Sequence, residues 1–267
     1  MSNSTVPVLS FVTMGVSVIF GFLIPGVLFI VLKKKYEIKK LPFFAGCATF
    51  FIAAIVLEGI CHNLILGGGR AEILMSKPIL YGLYGGFMAG LFEETGRFIT
   101  YRILLKKEKD KYVDDKTAFA YGAGHGGFEA FYILVVSMIT NLIFGVMINT
   151  GNTELLFTGL DEAKLAATEN VLNQLVTLSP WTFLVSVVER FGAVAWHMAA
   201  SVLVWFAVKN KKFWLYPLAI LLHLVLDMLA VIGMQFGVPI ALIEVFLYLY
   251  SAACIFFAWK VWKKESC

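Results

Sequence analysis

Seven long apolar stretches divide the chain, at about residues 8–32, 41–66, 79–105, 117–148, 181–208, 213–235 and 238–262. Each reaches or exceeds the ~20 residues that an α-helix needs to cross a hydrocarbon core roughly 30 Å thick. A membrane β-barrel would instead show short segments of alternating polarity. The pattern therefore predicts an all-α, polytopic bundle of about seven transmembrane helices. It forms one integral-membrane domain over 1–267, because no linker or polar module is large enough to be a second. The opening MSNSTVPVLSF has no basic residue and no small-residue cleavage site, so it reads as part of the first span and not as a removed leader.

The polar segments between the stretches are not alike. KKKYEIKK (33–40), RILLKKEKDKYVDDK (102–116), KNKK (209–212) and KVWKKESC at the end hold most of the 22 basic residues. The alternate loops hold only Arg70, Lys77 and Lys164. Positive charge near span ends marks the cytosolic side, which places the N-terminus outside and the C-terminus in the cytosol. The longest outer loop, 149–180, contains DEAKLAATENVLNQLVTL (161–178), with Leu165, Leu172, Leu175 and Val176 at helical spacing. It reads as an interfacial helix.

Composition adds a constraint on partners. The chain is 60% hydrophobic and 15% charged, with a formal net charge of +4. The basic residues flank membrane spans and form no separate face, so nucleic-acid binding is not expected. The four cysteines form no CxxC, and neither a disulfide framework nor a thiolate metal site is indicated.

The informative residues are the polar ones inside the spans. Ionisable groups in hydrocarbon are costly and usually face a protein interior or a wet cavity. Span two carries Glu58 and His62. Span three carries Glu93, Glu94 and Arg97, span four His125 and Glu129, span five Glu189, Arg190 and His197, and span six His223 and Asp227. Glu93/Arg97, His125/Glu129 and His223/Asp227 are i,i+4 pairs, so each pair shares one helix face. Arg190 and His197 are seven apart, again on roughly one face. At about 1.5 Å of rise per residue from the cytosolic end, Glu93 lies roughly 18 Å deep, His125 12 Å, His197 17 Å and His223 15 Å. Four helices running in alternating directions thus place one acid and three imidazoles in a common layer. His62, at roughly 32 Å by the same rise, reads as interfacial with Glu58 as its partner. Spans three and four also carry glycine rows, Gly82/Gly86/Gly90 and Gly122/Gly126, which permit close helix approach. They are expected to press span four towards the span with the glutamates.

Buried carboxylates beside imidazoles suit hydrolysis. A carboxylate can take a proton from water, and imidazole can orient that water, bind a metal or stabilise an oxyanion. Glu93, His125, His197 and His223 are also a ligand set compatible with Zn2+ and one open coordination position. No HExxH is present, and the residues lean slightly towards no obligatory metal.

EETGR (93–97), YGAGHGGFE (121–129), ERFGAVAWH (189–197) and HLVLD (223–227), in that order on successive spans, resemble the YhfC family of intramembrane proteases. That family is similar to the CPBP/Abi proteins, the type II CAAX prenyl endopeptidases and the PrsW site-1 proteases. The resemblance implies a multi-pass protein of the bacterial cell membrane, with its catalytic core in 79–105, 117–148, 181–208 and 213–235. It implies a paired-glutamate motif on Glu93 and Glu94 with Arg97 as basic partner, and an aromatic-xxx-His motif on Tyr121 and His125. It also implies a His-xxx-Asp motif on His223 and Asp227, an additional histidine at His197, and an acidic match at Glu129. By that analogy Glu93 is the general base on a water held by His125. His223, Asp227 and His197 polarise the carbonyl, while Glu94 and Arg97 form an ion pair that positions the site, with Glu129 and Arg190 as further positioning residues. The substrate class implied is a membrane-anchored peptide or protein.

Two other functions fit buried acids and imidazoles. A scaffold would keep them only for packing, and a proton-coupled transporter would use them as a relay. Against the transporter, there is no inverted repeat and no symmetric pair of proline-broken helices, since Pro25, Pro217 and Pro239 fall on unrelated positions.

Overall fold

A computed structural model of the chain describes residues 5–67, 69–107, 112–160 and 162–266. Lys109 and Lys111 of the basic loop, Asp161 of the amphipathic segment and Cys267 lie outside the described residues. The helices are α1 (Val8–Lys35), α2 (Lys40–Leu66), α3 (Arg70–Met75), α4 (Pro78–Lys107), α5 (Lys116–Thr150), α6 (Glu162–Thr177), α7 (Thr182–Lys209), α8 (Leu215–Gln235) and α9 (Ile240–Glu265). No strand occurs among the described residues. α1, α2, α5, α7, α8 and α9 are long and apolar enough to cross a membrane. The remaining predicted span, 79–105, coincides with α4. That helix is 30 residues long but less apolar, because Glu93, Glu94 and Arg97 interrupt it.

The chain divides into two compact units. The first comprises the segment up to Ile24 and Ala130–Arg190. Val6, Met14, Met138, Leu175 and Phe183 form its buried core, and Val171 and Val176 pack against it. The amphipathic segment predicted at 161–178 is thus helical as α6, and Leu175 and Val176 of its apolar stripe face this core, whereas Leu165 is exposed. Asn149 ties the chain start down: its Oδ1 accepts from Val6 N at 2.7 Å and its Nδ2 donates to Val6 O at 3.1 Å.

The second unit comprises Pro25–Glu129 and Phe191–Cys267. Tyr101, Tyr121, Trp205, Phe206 and Leu215 are among its fully buried side chains. Asp115 closes one end: it accepts from Trp205 Nε1 at 2.7 Å, from Lys209 Nζ at 2.6 Å and from Ser266 Oγ at 2.9 Å. The N-terminal end of α5 and the C-terminal ends of α7 and α9 are joined there.

Close backbone approach sets the helix directions in this unit. A Cβ added at Gly82 would lie 2.8 Å from Ile232 Cγ1, and one at Gly90 would lie 2.8 Å from the Ile220 carbonyl oxygen, so α4 and α8 run antiparallel. Cβ atoms at Gly122 and Gly126 would lie 2.7 Å from Met198 Cα and 3.0 Å from Val194 Cα, so α5 and α7 are also antiparallel. Gly46 meets Tyr121, and the Phe51 and Phe128 rings stand 6.3 Å apart, so α2 runs parallel to α5. The two glycine rows therefore do not pack α5 on α4 as expected. Each brings its helix against a third one, and α4 meets α5 through side chains instead, for example the Tyr101 and Tyr121 rings at 4.7 Å. Small residues permit approach but do not choose the partner.

Candidate functional site

Glu93 stands on α4, 7% exposed, with His125 of α5 opposite it. Glu93 Oε2 lies 2.8 Å from His125 Nε2 and 3.9 Å from His197 Nδ1 on α7. The His125 and His197 rings have their centroids 4.8 Å apart. Gly126 makes this approach possible, because a Cβ there would lie 3.1 Å from His197 Cβ. Gly126→Leu is accordingly expected to part α5 from α7, lowering stability by about 1–3 kcal/mol in a thermal unfolding measurement.

Arg97 is wholly buried one turn along α4. Its Nε and Nη2 donate to the two carboxylate oxygens of Glu94 at 2.9 and 3.3 Å. This bidentate pairing matches the planar fork of the guanidinium to the carboxylate and fixes both groups. Nη1 donates to the His197 carbonyl oxygen at 3.1 Å and also to Ser201 Oγ, and Nη2 lies 3.2 Å from His197 Nδ1. The other nitrogen of His197, Nε2, lies 2.5 Å from Glu129 Oε2. Since the guanidinium has only donors, Nδ1 faces it as an acceptor, and the proton of the neutral ring belongs on Nε2, towards Glu129.

His223 of α8 completes the cluster from the other side. Its Nδ1 is 3.0 Å from Glu94 Oε1 and its Nε2 is 3.5 Å from Asp227 Oδ2. Its ring centroid is 5.6 Å from that of His197. Trp196 and Phe50 wall the cluster edge-on, at 5.8 Å from His223 and 5.3 Å from His125.

Glu93, Glu94, Arg97, His125, Glu129, His197, His223 and Asp227 are thus brought together from four helices. Arg190 is buried in the first unit, where its guanidinium pairs with Glu189. Glu58 and His62 form the expected partnership at 3.0 Å, and His62 Nδ1 is 2.8 Å from Tyr84 OH. Sequence reading missed Ser201. It stands one turn after His197 on the same face of α7, and that spacing was its only signal.

Accessibility changes along the helices in a consistent direction. His125 is wholly buried, while the Glu129 side chain is 15% exposed. The side chains of His223 and Asp227 are 4% and 36% exposed, and those of Glu58 and His62 are 11% and 33%. In each pair the more accessible member lies one turn nearer the C-terminal end of its helix.

A metal-holding group is legible within the cluster. Glu93, His125 and His197, all buried, each offer one ligand atom, and these lie within 4.8 Å of one another. His125 Nδ1 is buried and has no hydrogen-bond partner among the described residues. One carboxylate and two imidazoles form a donor set that zinc hydrolases use with an open fourth position. The residues therefore fit a metal such as zinc. His223, the fourth ligand considered from the sequence, stands outside that group, with both of its nitrogens turned to carboxylates.

The model of the YhfC intramembrane metalloprotease family matches residues 20–247 of the chain. A membrane protein of Bacillus subtilis (strain 168), the uncharacterized YhfC, is 34% identical over 245 residues, which cover 90% of this chain and 92% of that one. No solved structure matches significantly.

Proposed function

The chain belongs to the YhfC intramembrane metalloprotease family, and from that premise we propose that it hydrolyses a peptide bond in a membrane-anchored peptide or protein at the Glu93–His125–His197 group. The observation that carries this reading is the convergence of three buried ligand atoms from three helices. Glu93, His125 and His197 would hold the ion, which when bound supplies Lewis acidity towards a water and the scissile carbonyl. With the ion bound, His197 Nδ1, 3.9 Å from Glu93 Oε2, would be the ligand atom in place of its contact with Arg97 Nη2, and Glu129 would orient the ring by accepting its Nε2–H, as a carboxylate behind a ligating imidazole does. Arg97 holds the backbone of α7 at His197. His223, its ring centroid 5.6 Å from that of His197, can donate Nε2–H to a developing oxyanion in place of its 3.5 Å contact with Asp227, while Glu94 keeps its Nδ1. The Asp227 carboxylate, the most accessible of the cluster, can take up the water proton and return it to the leaving amine.

One observation favours a second reading without a metal. Glu93 Oε2 already lies at hydrogen-bond distance from His125 Nε2. In that reading Glu93 is the general base and His125 holds the water.

The basic C-terminal ends of α1, α7 and α9 support a cytosolic position for those ends, with the N-terminus outside. The function is tested by incubating purified chain in liposomes with transmembrane peptides, some of them prenylated, with and without a chelator, while measuring bound metal. Cleavage that stops on chelation and returns with zinc is the expected result. Intact peptides throughout, with metal bound, would refute it. Glu129→Gln is expected to weaken metal binding by about 10–100-fold, read by competition with a chromogenic chelator.

A further inference from the structure

A second cavity lies away from the acid–imidazole cluster, at the basic end of the second unit. It encloses about 800 Å³ between the last turns of α4 and the turn that follows α7. Ile99, Ile103 and Val113 form an apolar wall, each 40–51% exposed. Arg102, Lys106 and Lys211 stand at the same cavity, all exposed, and make no ion pair among the described residues. The other polar residues there are already engaged. Lys209 is paired with Asp115 at 2.6 Å, and Asn210 Nδ2 donates to the Glu265 carbonyl oxygen at 2.9 Å.

The turn is built rather than loose. Lys211 has a left-handed backbone, φ 57°, which is uncommon for a residue with a side chain. The anchoring of Asn210 and Lys212 on Glu265 holds that turn, and with it the position of the Lys211 ammonium. Arg102 is held too, its guanidinium lying 5.8 Å from the Phe98 ring centroid.

Three cations with no ion pair among the described residues, over an exposed apolar wall at a helix end flanking the bilayer, match an amphiphile with an anionic head and an acyl body. We propose that this cavity is a binding site for an anionic glycerophospholipid. The headgroup phosphate is held by Arg102, Lys106 and Lys211, and an acyl chain lies along Ile99, Ile103 and Val113. Basic pockets between membrane helices recognise such headgroups, each cation near the surface contributing attraction. A volume of this size suits a headgroup with the first part of its chains. The site lies outside the proposed hydrolytic group, so it stands whether or not that reading holds.

The test is native mass spectrometry of the full chain in neutral detergent, titrated with palmitoyl-oleoyl phosphatidylglycerol or with phosphatidylcholine of the same chains. One retained phosphatidylglycerol is expected, with phosphatidylcholine held at least about tenfold more weakly. The triple variant R102Q/K106Q/K211Q is expected to lose that preference. The triple K33Q/K34Q/K35Q removes the same charge elsewhere and should keep it. Should the first triple fail to purify, the pair K106Q/K211Q changes only exposed side chains and is read in the same way. Equal retention of both lipids, or equal loss in both triples, would overturn the proposal. Full displacement of the lipid by glycerol phosphate would also overturn it, by showing a site for soluble phosphates.

Discussion

Glu93→Gln is expected to abolish peptide hydrolysis while the chain stays folded. The amide has the shape of the carboxylate, and it can still hydrogen-bond His125 across the 2.8 Å gap. What it lacks is the negative charge and the ability to accept a proton. Loss of an acid–base group of this kind slows turnover by about 10²–10⁴-fold, and loss of a metal ligand acts at least as strongly. Cleavage rate and metal content measured on the same sample separate the two roles. A variant that keeps its metal and loses turnover has lost a base. A variant that loses both has lost a ligand. Full activity in the glutamine variant would remove Glu93 from the chemistry altogether.

The largest effect on stability is expected at Arg97. Arg97 and Glu94 are both wholly buried, and Arg97→Met would leave the Glu94 carboxylate without its guanidinium, with His223 Nδ1 as its one remaining hydrogen-bond partner among the described residues. An uncompensated charge left in an interior costs about 3–5 kcal/mol. The same variant loses the hydrogen bonds to Ser201 and to the His197 backbone, so α7 loses a tie to α4. The double variant E94Q/R97M removes both charges and is expected to recover a large part of the loss, because neutral groups need no such compensation. Unfolding midpoints of the three proteins in one detergent provide the comparison. If R97M unfolds within a degree or two of the parent, the pair is not holding the bundle.

Much of this was legible from residue order alone. The seven apolar stretches coincide with α1, α2, α4, α5, α7, α8 and α9 to within about three residues at each end, because twenty or more apolar residues in a row have few alternatives in a bilayer. The pairs His125/Glu129 and His223/Asp227 were legible because four residues are one turn. The choice of partner between helices was not. Glu94 was legible as half of a paired-glutamate motif, a candidate catalytic acid and the mate of Arg97, but not as the acceptor of His223 from α8. Ser201 was passed over because a serine in a membrane helix is unremarkable until an arginine from another helix points at it. The glycine rows showed that helices would touch, but not which ones. The π-helical stretch Phe51–Glu58 of α2 left no mark in the pattern, since it shifts the hydrogen bonds without changing the polarity of the sequence.

The rise in accessibility from His125 to Glu129, from His223 to Asp227 and from Glu58 to His62 gives the cluster a polarity. α5, α8 and α2 run in one direction, so all three gradients open towards the ends remote from the lysine-rich segments. The proposed hydrolysis would consume one water per cut, and oily walls supply none. Replenishment is therefore expected to pass Asp227 and the Glu58–His62 pair on its way in, from the face of the bilayer opposite the basic loops. Small polar solutes added on that face should reach the imidazoles first, and those added on the other should have to wait.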